Sequence, residues 1–201
     1  MPQSNRPLAV LIVTDVDADE ASAAHALSQG LADAGHFVLG VRTGDLTLPE
    51  AVAHLRPDVI VVSADSGARD VLEHIVMATR DAPRPIAMFT GDRDRDTLRS
   101  ALSAGVSAYV VDGLAPGRVQ AVVDVAVERF AVEQNLRAEL SVTKAELADR
   151  KLIDRAKRLL MKKKGMSEDE AHKFIQTAAM QKGLKAREVA ERLIDFESLL
   201  G

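Results

Sequence analysis

The chain has 201 residues, 47% of them hydrophobic, and a net charge of −4, enough to bury one core of ordinary size and a small second one. It contains no cysteine, which excludes disulfides and thiolate metal sites and agrees with a reducing cytoplasm. No apolar run approaches the roughly 20 residues of a membrane span, and the opening MPQSNRP lacks the apolar centre of a signal peptide, so a soluble cytoplasmic protein without a membrane partner is expected.

In chain order, the first half alternates apolar runs with amphipathic helical patterns. The strand candidates are LAVLIVT, FVLGV, DVIVVS, PIAMFT and SAYVV. Five such runs separated by helices predict an α/β, flavodoxin-like domain: a five-stranded parallel sheet covered on both faces, in the order 2-1-3-4-5. A fold of this kind places its functional site at the carboxyl ends of the strands. Thr14, Asp15, Asp17, Ser63, Thr90 and Asp112 are the residues to follow there.

Residues 8 to about 125 resemble a receiver domain of bacterial response regulators. A working receiver carries an acidic pair after its first strand, a phosphoacceptor aspartate after the third, a hydroxyl after the fourth and a lysine after the fifth. The matching positions here read Thr14 and Asp15, Ser63, Thr90 and Asp112, so only Asp15 and Thr90 fit. An aspartyl phosphate needs a carboxylate nucleophile, a divalent cation and a responding cation. Ser63 cannot supply the first, and Asp112 has the wrong sign for the last. Asp65, two residues past the acceptor position, shares the face of Ser63 on a continuing strand but falls beyond the expected sheet end. The resemblance therefore implies a pseudo-receiver, with Asp15, Ser63, Asp65, Thr90 and Asp112 as a degenerate phosphoacceptor region that is not expected to be phosphorylated.

From Val119 to Lys164 a helical pattern runs without proline or glycine. That is far longer than the usual helix of about 11 or 12 residues and predicts a stalk. Leu136, Leu140 and Leu147 have the spacing of a coiled-coil seam, although Glu133, Thr143 and Arg150 fill the other seam positions. Two readings stay open: a seam between two copies of the chain, making a homodimer, or a single exposed helix linking two domains.

The stalk ends in a charge reversal, LMKKKGMSEDEA. Lys162 to Lys164 lie where the helix dipole favours cations, Gly165 fits a helix terminus, and Ser167 with Glu170 reads as the capping box of a new helix. Two helices follow, with Ala171, Phe174, Ile175 and Ala178 on one face of the first and Val189, Ala190, Leu193 and Ile194 on one face of the second. With Leu152, Ala156, Leu159 and Leu160 on the stalk, these stripes predict a small three-helix bundle. Met161, Met180 and Phe174 are expected in its core, and His172, without a partner at metal spacing, on its surface. Residues 1–150 hold 22 acids and 14 bases, whereas residues 151–201 hold 8 acids and 12 bases, and no lysine precedes Lys144. An acidic body with a basic end suggests a module for a polyanion, nucleic acid above all.

The stretch RAKRLLMKKKGMSEDEAHKFIQTAAMQKGLKAREVAERLI resembles the ANTAR domain, a three-helix RNA-binding module of transcription antiterminators. The match rests on Ala-Lys near its start, Leu-Met before the basic turn, Gly-x-Ser-Glu-Asp-Glu-Ala, and Lys-x-Arg-Glu-Val-Ala, in order and spacing. The order of domains, with RPDVIVVSADSGARDVLEHIV, RPIAMFTGDRD and GVSAYVVDGL, is similar to the nitrate-assimilation (NasT-like) branch of ANTAR response regulators. That resemblance implies binding to paired leader-RNA hairpins, transcriptional read-through, and sequestration by a separate nitrate- or nitrite-sensing partner. The expected division is 1–115 pseudo-receiver, 116–150 last receiver helix and stalk, and 151–201 ANTAR domain.

Lys157, Arg158, Lys162, Lys163, Lys173, Gln176, Lys182, Lys185 and Arg187 are the candidate RNA contacts. With no tryptophan or tyrosine in the module and only Phe174 and Phe196 as aromatics, backbone charge and RNA shape are expected to outweigh stacking. A DNA-binding helix-turn-helix regulator and a pure protein-interaction adaptor remain as alternatives. No nucleophile, base and orienting group form a recognisable motif, so neither an enzyme nor a metal or cofactor site is expected.

Overall fold

The computed structural model describes residues 6–15, 20–64, 68–112 and 116–200. The chain divides into two compact units, Met1–Gln134 and Asn135–Gly201.

The first unit is built on strands β1 (Ala9–Thr14), β2 (Phe37–Thr43), β3 (Val59–Ser63), β4 (Ile86–Thr90) and β5 (Ala108–Val111), all five at or within two residues of the apolar runs. They pair in parallel in the order β2-β1-β3-β4-β5. Between them lie α1 (Glu20–Asp33), α2 (Leu48–Leu55), α3 (Ala68–Thr79) and α4 (Arg95–Ser103). Because β1, β3 and β4 are buried on both faces, every residue of these strands can be apolar, and each alternates its side chains between two cores. Leu11, Val13, Ile60, Val62 and Met88 pack with Val71 and Ile75 of α3. Val10, Ile12, Val59, Val61, Ala87 and Phe89 pack on the other side with Leu27 and Leu31 of α1 and with Val119, Val123 and Ala126. These last three open α5 (Pro116–Lys164), a helix of 49 residues. Val125, Val132, Leu136, Leu140 and Leu147 on α5 are exposed.

The second unit contains the end of α5 with α6 (Glu168–Lys182) and α7 (Ala186–Leu200). The Gly165 N–H donates to the Met161 carbonyl at 3.1 Å, and its φ of 66° is open to glycine and strained for other residues, so α5 ends at the predicted place. Ser167 caps α6: the Glu170 N–H donates to Ser167 Oγ at 3.3 Å, and the Ser167 N–H donates to Glu170 Oε2 at 2.8 Å. This reciprocal box satisfies backbone donors that helix geometry leaves open. The core is assembled from Ala156, Leu160, Ala171, Ile175, Ala179, Val189, Ala190 and Ile194.

Part of the expected core lies outside it. Met180 is 84% exposed, Phe174 43% and Met161 39%. On α6 the buried positions are Ala171, Ile175 and Ala179, a strict four-residue step. Met180 follows Ala179 directly, and one residue turns its side chain about 100° away from that stripe.

Candidate nucleic-acid interface

The cations of the second unit fall into two classes. One class is held by carboxylates. Lys157, whose side chain is only 14% exposed, places Nζ 2.8 Å from Asp154 Oδ1 and 2.8 Å from Glu168 Oε1, joining α5 to the first turn of α6. These hydrogen bonds, first to Asp154 and then to Glu168, hold the Lys157 ammonium above the ordinary lysine range, and the same bonds hold both carboxyls below theirs. Lys163 Nζ reaches Glu197 Oε1 at 3.7 Å, and Arg187 Nη1 donates to Asp149 Oδ1 at 3.2 Å. Three of the candidate RNA contacts, Lys157, Lys163 and Arg187, are thus paired with carboxylates of the chain itself. Apart from Asp154, which lies one turn before Lys157 on α5, each partner comes from a neighbouring helix, and Lys163 points toward α7 because it shares the inward side of α5 with Ala156 and Leu160.

The other class faces solvent. Lys151, Arg155, Arg158 and Lys162 recur at steps of four, three and four along α5, so they share one face, and all four are exposed. That face lies on the far side of the helix from Ala156 and Leu160, whose burial turns it outward. Lys164, Lys173, Lys182 and Lys185 are also exposed. The Lys185 N–H donates to Glu188 Oε2 at 2.7 Å while its ammonium stays outside that contact. Gln176 Nε2 lies 3.0 Å from His172 Nε2, so the amide is oriented by a histidine one turn before it. The stripe through Lys151 and Arg155 was readable from spacing but only its second half, Arg158 and Lys162, was among the expected contacts. Lys164 belongs to the basic run that ends α5 but was not among the expected contacts, and Arg192 had no distinguishing signal.

Beside this surface, Phe174, Thr177, Gln181, Lys182, Leu184, Val189, Arg192, Leu193 and Phe196 line a groove between α6 and α7 of about 480 Å³.

In the first unit the carboxyl ends of the strands carry hydroxyls. Thr14, Ser63 and Thr90 are buried, and Thr14 stands opposite Ser63 in the β1–β3 register. Thr90 Oγ1 accepts from the Asp92 N–H at 3.0 Å. Asp112, where a receiver has its lysine, has a φ of 50°, a conformation that aspartate tolerates better than most residues. Its Oδ2 accepts from Arg93 Nε at 2.7 Å and from Nη2 of the same guanidinium. The wrong-sign side chain is thus already matched by a cation 19 residues earlier in the chain. Asp15 is half-buried, and Asp17 and Asp65 lie outside the described residues.

Comparisons with known proteins agree with this division. Residues 142–194 match the ANTAR domain. The transcriptional regulatory protein PdtaR of Mycobacterium tuberculosis is 31% identical over 178 residues, covering 88% of this chain and 86% of that protein. The nitrate regulatory protein of Klebsiella oxytoca is 36% identical over 66 residues, 33% of this chain but 17% of that protein. Among solved structures, the signal receiver domain of a modulated diguanylate cyclase from Desulfovibrio desulfuricans superposes with a TM-score of 0.53 at 24% identity, covering 63% of this chain and 98% of that one. The parallel sheet is therefore a receiver fold, and with an ANTAR domain at its end and a regulatory relative along nearly its whole length, the chain belongs to the ANTAR family of transcriptional regulatory proteins.

Proposed function

We propose that the chain is an RNA-binding transcription antiterminator that acts on leader-RNA hairpins in the cytoplasm and has no enzymatic activity. The observation that carries this reading is the coincidence of the ANTAR match over residues 142–194 with the unit whose α5 presents the solvent-facing cations Lys151, Arg155, Arg158 and Lys162. Such a row suits a polyanion whose phosphates also repeat. Of the expected contacts, Arg158, Lys162, Lys173, Lys182 and Lys185 serve the phosphates, and Gln176 supplies a hydrogen-bonding edge. Lys157 and Arg187 hold the helices in place, and Lys163 is shared with Glu197. A functional division at 1–115, 116–150 and 151–201 separates the input domain, the stalk and the RNA module.

The receiver-like domain serves as a protein-docking platform without phosphorylation. Ser63 at the acceptor position and the Arg93–Asp112 pair at the lysine position support this. Control by a nitrate- or nitrite-sensing partner is the finer reading, supported by the similarity to the Klebsiella protein over 66 residues. The exposed leucines of α5 support pairing of two copies.

The test is competition binding with labelled leader-RNA hairpins. Hairpin RNA is expected to outcompete duplex DNA of equal length, and addition of the nitrate-sensing partner is expected to release the RNA until nitrate is supplied. Preference for duplex DNA would make the chain a DNA-binding regulator, and binding of neither at physiological salt would make it an adaptor.

A further inference from the structure

The bundle has two phenylalanines, Phe174 and Phe196, and no tyrosine or tryptophan, and neither phenyl ring is used to close its core. Both line the groove between α6 and α7 and remain 43% and 64% exposed. Aromatic side chains left at a surface by a core that closes without them mark contact sites. The chemistry around the rings narrows the occupant. Lys182 and Arg192 stand at the groove, Thr177 and Gln181 offer a hydroxyl and an amide, and none of the described residues lining it is a carboxylate. An apolar peptide would use the rings but not the two cations. A flat heteroaromatic ring carried between two phosphates uses both, and the groove volume of about 480 Å³ falls in the range of small-ligand sites.

We infer that this groove receives an unstacked nucleobase of the bound RNA, stacked on Phe174 or Phe196, with Lys182 and Arg192 meeting the adjoining phosphates. The inference rests on the RNA-binding function proposed above and adds a base-reading subsite to it. Single-stranded loops are where proteins reach RNA bases, by stacking on aromatic rings and hydrogen bonding to base edges. Stacking tolerates different bases, so sequence preference here would come from Thr177 and Gln181.

The experiment uses the full chain and, as probe, the tightest member of a panel of fluorescent RNA hairpins with randomised loops, alongside the same hairpin with an abasic loop. Phe174→Leu with Phe196→Leu is expected to weaken binding to the intact loop by roughly 5- to 150-fold, the range for loss of one stacked base. The salt slope should be unchanged, since no charge is lost. Phe174→Tyr with Phe196→Tyr should bind like the parent. On the abasic hairpin the parent should bind as weakly as the leucine variant, and the two losses should not add. If the double leucine variant melts early, Phe196→Leu alone, at the more exposed ring, carries the test. Equal binding of parent and leucine variant to the intact loop overturns the inference, as do additive losses. A change of mass in light scattering with RNA affinity unchanged also overturns it and assigns the groove to a second copy of the chain. If the parent binds none of the hairpins, the RNA function itself fails, and this inference fails with it.

Discussion

Replacing Arg158 and Lys162 with glutamine tests whether the outward face of α5 meets phosphates. Both side chains are exposed, and they sit one turn apart on the face opposite Ala156 and Leu160. Each phosphate contact contributes about 0.7 to 0.9 to the log-log salt slope, so two lost contacts flatten it by about 1.4 to 1.8. Between about 50 and 200 mM salt, the ratio of parent to variant affinity should therefore narrow by about 7- to 12-fold. Folding should stay within about 0.5 kcal/mol of the parent, as surface substitutions usually do. Lys157→Gln is the internal control: it removes the cation shared by Asp154 and Glu168, so the melting temperature should fall while the salt slope holds. Fluorescence anisotropy of a labelled hairpin across the salt series, with a thermal melt of each variant, measures both. An unchanged slope for the Arg158 and Lys162 pair, or a changed slope for Lys157, would refute the division of cations into phosphate-facing and structural classes.

Three further outcomes are expected. Ser167→Ala should destabilise the C-terminal unit by about 1 kcal/mol in a chemical denaturation curve, the usual worth of an N-cap, with a range of about 0.5 to 2. Glu170 is held below the ordinary carboxylate range first by the Ser167 N–H and then by its hydroxyl, so its contribution is full above the unfolded pKa and is lost as pH falls through the folded one. The acid limb of a melt series should consequently be shallower in Glu170→Gln than in the parent. Acetyl phosphate with magnesium should leave the intact mass unchanged, and a stable added phosphate on Asp15 or Asp65 would contradict the proposed pseudo-receiver. Leu140→Lys with Leu147→Lys should lower the mass found by light scattering while the ANTAR unit still melts cooperatively; a monomeric parent would remove the seam.

The sheet was legible because parallel strands buried on both faces leave continuous apolar runs, and VIVVS and IAMFT are apolar up to their last residues, Ser63 and Thr90. The ends of α5 and α6 were legible because caps are local: Gly165 and the Ser167–Glu170 box are decided within four residues. Side-chain fate in the bundle was less so. On α6, alanines fill the inward step at 171 and 179, and an alanine carries too little apolar weight to set the phase of a stripe against larger neighbours. Phe174 and Met180 therefore drew the expected core toward themselves. The ion pairs escaped for a different reason. Asp154 lies three residues from Lys157 and could be seen on one helix, but Glu168, Asp149 with Arg187, and Arg93 with Asp112 meet only after the chain has turned, 11 to 38 residues apart.

The alanines have a consequence of their own. Ala156, Ala171 and Ala190 are wholly buried, and Ala179 nearly so, which lets three helices approach by the width of a methyl group. Adding two carbons at any of them costs about 1 to 3 kcal/mol by overpacking, a large share of the stability open to a unit this small. Tolerance to natural variation should then run opposite to chemical character. The charged face can exchange arginine for lysine and keep its sign, whereas the smallest and least reactive residues in the module act as spacers that set how closely α5, α6 and α7 pack, and a change as mild as Ala171→Val would shift the cations of α6 and α7 against the row on α5.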